Sequence, residues 1–216
     1  MEVVAIVGKT GTRAYLVGCV QSRQAVLIGP LAEDRKAYRE ALKRRGWSLL
    51  AELTFGAAPT NPLLAPVRVV ARPHDGASIE VTAGKRATRV PLYVTEATLA
   101  PDPPPQVLVT RVGQHKVHAI ACVADPAEVC WRIDNSVFTE RMLFSPGTWP
   151  AAATPGAVLA LPPTTVVYPR RAQDGHNIST VSMERVWLER WQARGYRPEI
   201  PDPTATVRSA PDRRGP

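Results

Sequence analysis

Basic side chains recur along one face of a predicted helix in the first part of the chain. Residues 31–45 are predicted to be helical, because Pro30 suits the first helical position and Gly46 suits the residue after the last turn. Positions 35, 39 and 43 share one face, where like charges repel unless an anion meets them. A second basic group follows at residues 85–89. We expect both groups to contact nucleic-acid phosphates without reading base sequence. The residues are Arg35, Lys36, Arg39, Lys43, Arg44, Arg45, Lys85, Arg86 and Arg89.

Two acids and a lysine in the middle of the chain are the residues that a nuclease would use. They are Asp75, Glu80 and Lys85. A metal-dependent nuclease needs such groups to converge from adjacent strands. Glu80 and Lys85, however, are five residues apart with Gly84 between them, which is poor spacing for one site.

The histidines and cysteines do not form a metal-binding pattern. His115 and His118 are three residues apart, so they face opposite sides of a strand, and we expect both to be partly exposed hairpin residues. His74 and His176 stand near aspartates and are candidate general bases. The cysteines, at positions 19, 122 and 130, are expected to be buried structural thiols. The sequence therefore predicts no metal and no cofactor, and its unpaired thiols favour the cytoplasm.

A unit of hairpin, strand and helix occurs twice in the predicted order of elements. Gly8 precedes a turn, a strand and Cys19, and Gly113 precedes a turn, a strand and Cys122. The spacing is 11 residues in the first unit and nine in the second, and a difference of two keeps the same strand face buried. A helical segment follows each unit, the second at residues 136–144. We predict an α+β fold of antiparallel β-hairpins in mixed sheets, with two main helices and an internal duplication.

A last helix is predicted from Ser179 to Arg194, where apolar residues recur at helical spacing. Trp187 and Trp191 lie on its apolar face. We expect these two side chains to dock against the protein's own sheet or against a partner protein.

Charge is distributed unevenly over the 216 residues. The formal net charge is +8, from 27 Lys and Arg against 19 Asp and Glu. Residues 1–100 carry a net charge of +6 and residues 101–216 a net charge of +2. Composition excludes collagen, coiled coil and general disorder, and no apolar run reaches the roughly 18 residues of a membrane span. The predicted units are a basic β-rich and helical unit at 1–100, a proline-rich linker at 101–105, a second β-rich unit with the amphipathic helix at 106–196 and a disordered tail at 197–216.

These observations leave three functional hypotheses in order. The first is a non-catalytic basic protein that binds nucleic-acid backbone or belongs to a nucleoprotein complex. The second is a structural or assembly subunit, of virion or secretion type, that acts through protein contacts. The third is a hydrolase or nuclease.

Overall fold

The computed structural model describes residues 1–56, 62–74, 78–91, 106–121, 128–135, 141–146, 161–170 and 178–186. A 3-10 turn at Ala32–Asp34 leads into helix α1 at Arg35–Arg45, and residues 181–186 are also helical. The strands are β1 (Glu2–Val7), β2 (Arg13–Cys19), β3 (Gln24–Ile28), β4 (Ser48–Thr54), β5 (Val67–His74), β6 (Ser78–Ala83), β7 (Arg86–Pro91), β8 (Gln106–Val112), β9 (His115–Ala121), β10 (Val129–Asp134), β11 (Arg141–Ser145), β12 (Val166–Pro169) and β13 (Ser179–Thr180).

The first seven strands form one sheet in their order along the chain. Strands β1 to β3 are an antiparallel meander, β3 to β5 run parallel, and β5 to β7 are again antiparallel. Helix α1 makes the crossover that the parallel pair β3 and β4 requires. Gly46 ends the helix with φ 64°, a left-handed conformation that glycine adopts without strain. The predicted helix is confirmed, and the 3-10 turn accounts for its first predicted residues.

The remaining strands form a second sheet in the order β13-β12-β11-β10-β9-β8. Strands β8 to β11 pair antiparallel, β11 and β12 pair parallel, and β12 and β13 pair antiparallel. Each sheet therefore begins with a three-stranded meander and contains at least one parallel pair.

The two sheets pack face to face around a shared apolar core. Tyr15 and Trp131 are both almost fully buried in it. The Tyr15 hydroxyl donates a hydrogen bond to the Pro169 carbonyl at 2.5 Å, and Trp131 Nε1 donates to the Thr54 carbonyl at 3.0 Å, so each bond joins the two sheets. Helix α1 covers the outer face of the first sheet, and Val181 packs on the outer face of the second. The fold is a β-sandwich with helical residues on both outer faces.

The expected α+β fold with two main helices is wrong. Residues 141–144 of the predicted second-unit helix form most of β11, with Met142 and Phe144 pointing into the core and Leu143 pointing outward into a second apolar cluster. A strand buried on both faces reads as a continuous apolar run, which periodicity alone does not distinguish from a buried helix. The internal duplication is limited to the two meanders, since the helix after the first unit has no counterpart at residues 141–145. Residues 136–140 and Cys122 lie outside the described part.

The predicted C-terminal helix is described at residues 179–186, where Ser179 and Thr180 form β13 instead and residues 181–186 are helical. There Val181 and Glu184 are buried, whereas Met183 and Val186 are 46% and 43% exposed, so the predicted apolar face points outward at these positions. Trp187 and Trp191 lie outside the described residues, as do the predicted linker at 101–105 and tail at 197–216. The division into units stays a prediction. In the described ranges no helix is long and apolar enough to cross a membrane.

Candidate functional site

The two predicted basic groups lie on different parts of the first sheet. Helix α1 packs over β2 and β3 through Tyr38 and Ala41, whereas the second group lies in the turn before β7 and on β7 itself, at the far edge of the sheet. Four strand spacings of about 4.8 Å separate these places. The nine residues therefore do not form one continuous row.

Some of these cations already have an anionic partner inside the protein. Arg45 Nε lies 2.7 Å from Glu2 Oε1, and Arg89 Nε lies 3.9 Å from Glu80 Oε2. The exposed members of the two groups are Arg35, Lys36, Arg39, Lys43, Arg44, Lys85, Arg86 and Arg89.

The structure does not assemble the candidate nuclease residues. Glu80 is on β6, where Arg72 Nη2 lies 2.8 Å from its Oε1. The hydrogen bond from Arg72 lowers the pKa of Glu80, against the opposing effect of desolvation. Lys85 lies in the turn beyond the end of that strand, and Asp75 is outside the described residues. Glu80 is therefore part of an ion pair on the sheet and does not share a site with Lys85.

Parallel strands of both sheets end at one edge of the sandwich. Strand β3 leads to Gly29, β4 to Phe55 and β12 to Arg170. The Arg170 guanidinium lies over the Phe55 ring, 5.5 Å from its centroid, and a Cβ atom on Gly29 would lie 2.6 Å from the same ring. The Arg170 N–H also donates to the Ser145 carbonyl at 2.9 Å, at the end of β11. Ligands of sheets with parallel strands bind beyond the carboxyl ends of those strands, but this edge carries an aromatic ring and a guanidinium.

A polar cluster lies on the outer face of the second sheet. The register of β9 and β10 places His118 beside Arg132, and that of β10 and β11 places Asp134 beside Arg141. Arg132 Nη2 lies 2.8 Å from Asp134 Oδ2, His118 Nδ1 lies 3.5 Å from the same oxygen, and Arg141 Nε lies 3.8 Å from Oδ1. His118 is 8% exposed and Arg132 is 5% exposed. A nearly buried imidazole thus faces a carboxylate that two arginines surround.

Burial and the charge of Arg132 favour the neutral imidazole of His118. Its pKa is lowered from 6.5, first by burial and then by the positive charge of Arg132, while Asp134 opposes both effects. His118 Nδ1 and Asp134 Oδ1 are buried without a hydrogen-bond partner in the described structure. The separation of 3.5 Å is too long for a hydrogen bond. A neutral imidazole turned towards a carboxylate is nevertheless the arrangement of a general base and its orienting group.

The expectation that His115 and His118 are partly exposed is wrong. His115 is 3% exposed and His118 is 8% exposed, because both sheet faces are covered at these positions. Burial also lowers the pKa of His115. The cysteines, in contrast, are as expected where they are described: Cys19 and Cys130 are buried and form no disulfide bond.

Comparison with known proteins identifies the fold. No family model and no curated protein matches the chain. Among solved structures, the chain resembles ETHE1 from Myxococcus xanthus with a TM-score of 0.57 and 16% identity over 86% of this chain and 82% of that chain. It also resembles a metallo-β-lactamase from Staphylococcus aureus subsp. aureus COL with a TM-score of 0.59 and 15% identity, over 86% of this chain and 61% of that chain. The protein has the metallo-β-lactamase fold.

The name of that fold implies a bound metal. The described residues do not form a site that could hold one. Zinc in proteins is held by three or four His, Cys, Asp or Glu side chains. The described ranges hold no cluster of three such residues placed to bind one ion. At the edge of the sandwich where the parallel strands end, the side chains of Phe55 and Arg170 supply no atom that could ligate a metal ion. The Arg170 guanidinium also repels a cation. The part of the chain that the structure describes therefore forms no zinc centre.

The fold also corrects the leading functional hypothesis. A metallo-β-lactamase is a hydrolytic enzyme, and its fold is shared over most of this chain. The expectation of a non-catalytic nucleic-acid-binding protein or nucleoprotein subunit is therefore wrong, and so is that of a structural or assembly subunit. Nothing in the comparisons bears on the expected nucleic-acid or protein partners, which stay predictions.

Sequence reasoning missed Arg132 and Asp134 as partners of His118. The signal in the sequence was the segment Cys-Trp-Arg-Ile-Asp at residues 130–134. In it the charged residues Arg132 and Asp134 alternate with the apolar residues Trp131 and Ile133. Such alternation indicates a strand with two charged residues on one face. Pairing them with His118 required the register between β9 and β10, which sequence alone does not provide.

Proposed function

We propose that the protein is a hydrolytic enzyme in which His118 acts as the general base. The observation that carries the proposal is the buried cluster of His118, Asp134 and Arg132 on the second sheet. The fold, which this chain shares with a metallo-β-lactamase, supports hydrolysis as the reaction class.

In this proposal Asp134 is a positioning residue. Its Oδ2 faces Nδ1 of His118, which favours the tautomer with a proton on Nδ1 and leaves Nε2 as the basic nitrogen. The distance of 3.5 Å closes to a hydrogen bond when substrate binds, as catalytic contacts often do. Nε2 then removes a proton from the attacking water, and the imidazolium that forms is stabilised by the carboxylate.

Arg132 and Arg141 set the charge of the cluster. Arg132 Nη2 lies 2.8 Å from Asp134 Oδ2 and supplies a positive charge beside the carboxylate that faces His118. Arg141 is 41% exposed at its side chain and stands 3.8 Å from Asp134 Oδ1. Its guanidinium is placed to stabilise an oxyanion that develops during hydrolysis.

The proposal predicts a distinctive pH profile. Because the pKa of His118 is lowered below 6.5, the base form predominates at neutral pH. Activity should be highest at neutral and higher pH and should fall as the pH drops through the lowered pKa.

The test is hydrolysis of p-nitrophenyl esters and of the chromogenic β-lactam nitrocefin, each with and without EDTA. Loss of a general base costs about 10²- to 10⁴-fold in rate, so His118→Gln should lower kcat/KM by at least about 100-fold. Asp134→Asn should lower it less and shift the pH profile, as a positioning residue does. His74→Gln, which removes an imidazole from β5, is the matched control and should retain full activity.

Two results would contradict the proposal. Full activity of His118→Gln would place the catalytic base elsewhere. Loss of activity with EDTA would mean that a metal is required, held with the help of residues outside the described ranges.

We also propose that the protein resides in the cytoplasm. Cys19 and Cys130 are almost fully buried and form no disulfide bond, which agrees with a reducing compartment. Fusion to a fluorescent protein and cell fractionation test this location.

A further inference from the structure

A groove lies between α1 and the segment that precedes β5, on the first sheet and away from His118. It has a volume of about 420 Å³, within the range of sites for small molecules. Arg35 and Arg39 line it on the helix side. Its other lining residues are Leu42, Leu49, Pro62, Leu63, Leu64 and Ala65.

We propose that this groove binds a small amphipathic anion, with a carboxylate or phosphate head group on an aliphatic chain. Four partly buried leucines form an apolar surface that excludes water from an aliphatic chain. The two guanidinium groups sit at the same groove and match an anionic head group.

The arginines are available for such a ligand. Arg35 and Arg39 are exposed, four residues apart on α1, and neither has an ion-pair partner among the described residues. Lys36, on the same helix, lies 3.9 Å from Glu40 instead. Like charges four residues apart repel each other, and an anion held between them removes that repulsion.

A buried carboxylate fixes the wall of the groove opposite the arginines. Glu52 on β4 is completely buried and accepts hydrogen bonds from the N–H groups of Leu63, Leu64 and Ala65 at 2.9, 2.5 and 3.1 Å. Arg68 on β5 donates to the same carboxylate from Nη2 at 2.8 Å. The leucine wall is therefore held in place before a ligand arrives, which lowers the entropic cost of binding.

The test uses calorimetric titration of the full chain with octanoate and octyl phosphate, both below their micelle concentrations. Octyl glucoside supplies the same chain without charge, and acetate supplies the head group without the chain. We expect one or both octyl anions to bind and the two control compounds to bind at least about tenfold more weakly. The stronger of the two anions identifies the head group.

The paired variant Arg35→Gln with Arg39→Gln should weaken binding about tenfold or more, since each charge-assisted hydrogen bond is worth about 1.5–3 kcal/mol, or roughly 10-fold or more in affinity. Arg44→Gln removes the same charge from an exposed position of α1 that does not line the groove, and it should leave binding unchanged. Raising NaCl should weaken binding of the anions. Equal binding of octyl glucoside, equal effects of Arg44→Gln and the paired variant, or no binding of either anion would overturn the proposal.

Discussion

Replacing Glu52 by Gln tests how strongly one carboxylate stabilises the first sheet. Its Oε1 accepts hydrogen bonds from Leu64 and Ala65, and its Oε2 accepts from Leu63 and Arg68. Glutamine has nearly the same shape but only one acceptor oxygen. Its amide NH₂ must face two of these donors in either orientation, so those donors lose their acceptor.

The expected loss of stability is large because the partner charge is also buried. Arg68 is 5% exposed and would be left without its carboxylate. Breaking a buried ion pair by removing one partner costs about 3–5 kcal/mol. That is a substantial part of the roughly 5–15 kcal/mol by which a typical domain is stable.

Urea unfolding monitored by tryptophan fluorescence measures the effect. Both reporters are buried: Trp47 lies on the outer face of the first sheet, and Trp131, on β10 of the second sheet, lies in the core between the two sheets. Glu40→Gln is the control, because its contact with Lys36 is exposed and should contribute about 0.5 kcal/mol or less. A loss below about 1 kcal/mol for Glu52→Gln, with an unchanged slope against urea, would refute the reasoning.

Three further predictions concern the same sandwich and are measured by the same unfolding assay. Burial would raise the pKa of Glu52, but its hydrogen bonds outweigh burial and lower it from 4.5. Its stabilisation is therefore complete above about pH 4.5 and declines as the pH falls through the lowered folded pKa, a decline that Glu52→Gln should lack. Gly18→Ala would place a Cβ atom 2.5 Å from the Trp47 ring, so it should cost about 1–3 kcal/mol. Tyr15→Phe leaves the Pro169 carbonyl without its donor from the opposite sheet and should cost about 1–2 kcal/mol. A neutral result for either substitution would show that the contact does not contribute.

The elements that the sequence predicted well depend on local signals. Helix α1 was recognisable from Gly46 after its last turn and from basic residues near its end. Strands β1 to β3 were recognisable from β-branched runs separated by turn residues. In each case the determining contacts are within a few residues along the chain.

What the sequence could not predict depends on contacts between distant residues. Met142, Leu143 and Phe144 form an apolar run whose structure is decided by burial between β10 and β12. Glu52 lies in a strand of apolar residues, and its partners are 11 to 16 residues further along the chain. Such a carboxylate is a signal of a buried ion pair, because a lone charge in a core is too costly to remain unpaired. The identity of its partner still requires the pairing of β4 with β5.

The net charge was misleading for a related reason. Two of the arginines that it counts, Arg68 and Arg132, are almost fully buried beside Glu52 and Asp134. They satisfy internal carboxylates and present no charge to solvent. Binding of a polyanion depends on where charge is gathered on the surface and not on its total. The exposed cations are spread over α1, the β6–β7 hairpin and the second sheet, where Arg111 and Lys116 lie. At the groove beside α1, two of them, Arg35 and Arg39, meet an apolar surface. That geometry suits a small anion with a hydrocarbon chain better than the extended backbone of a nucleic acid.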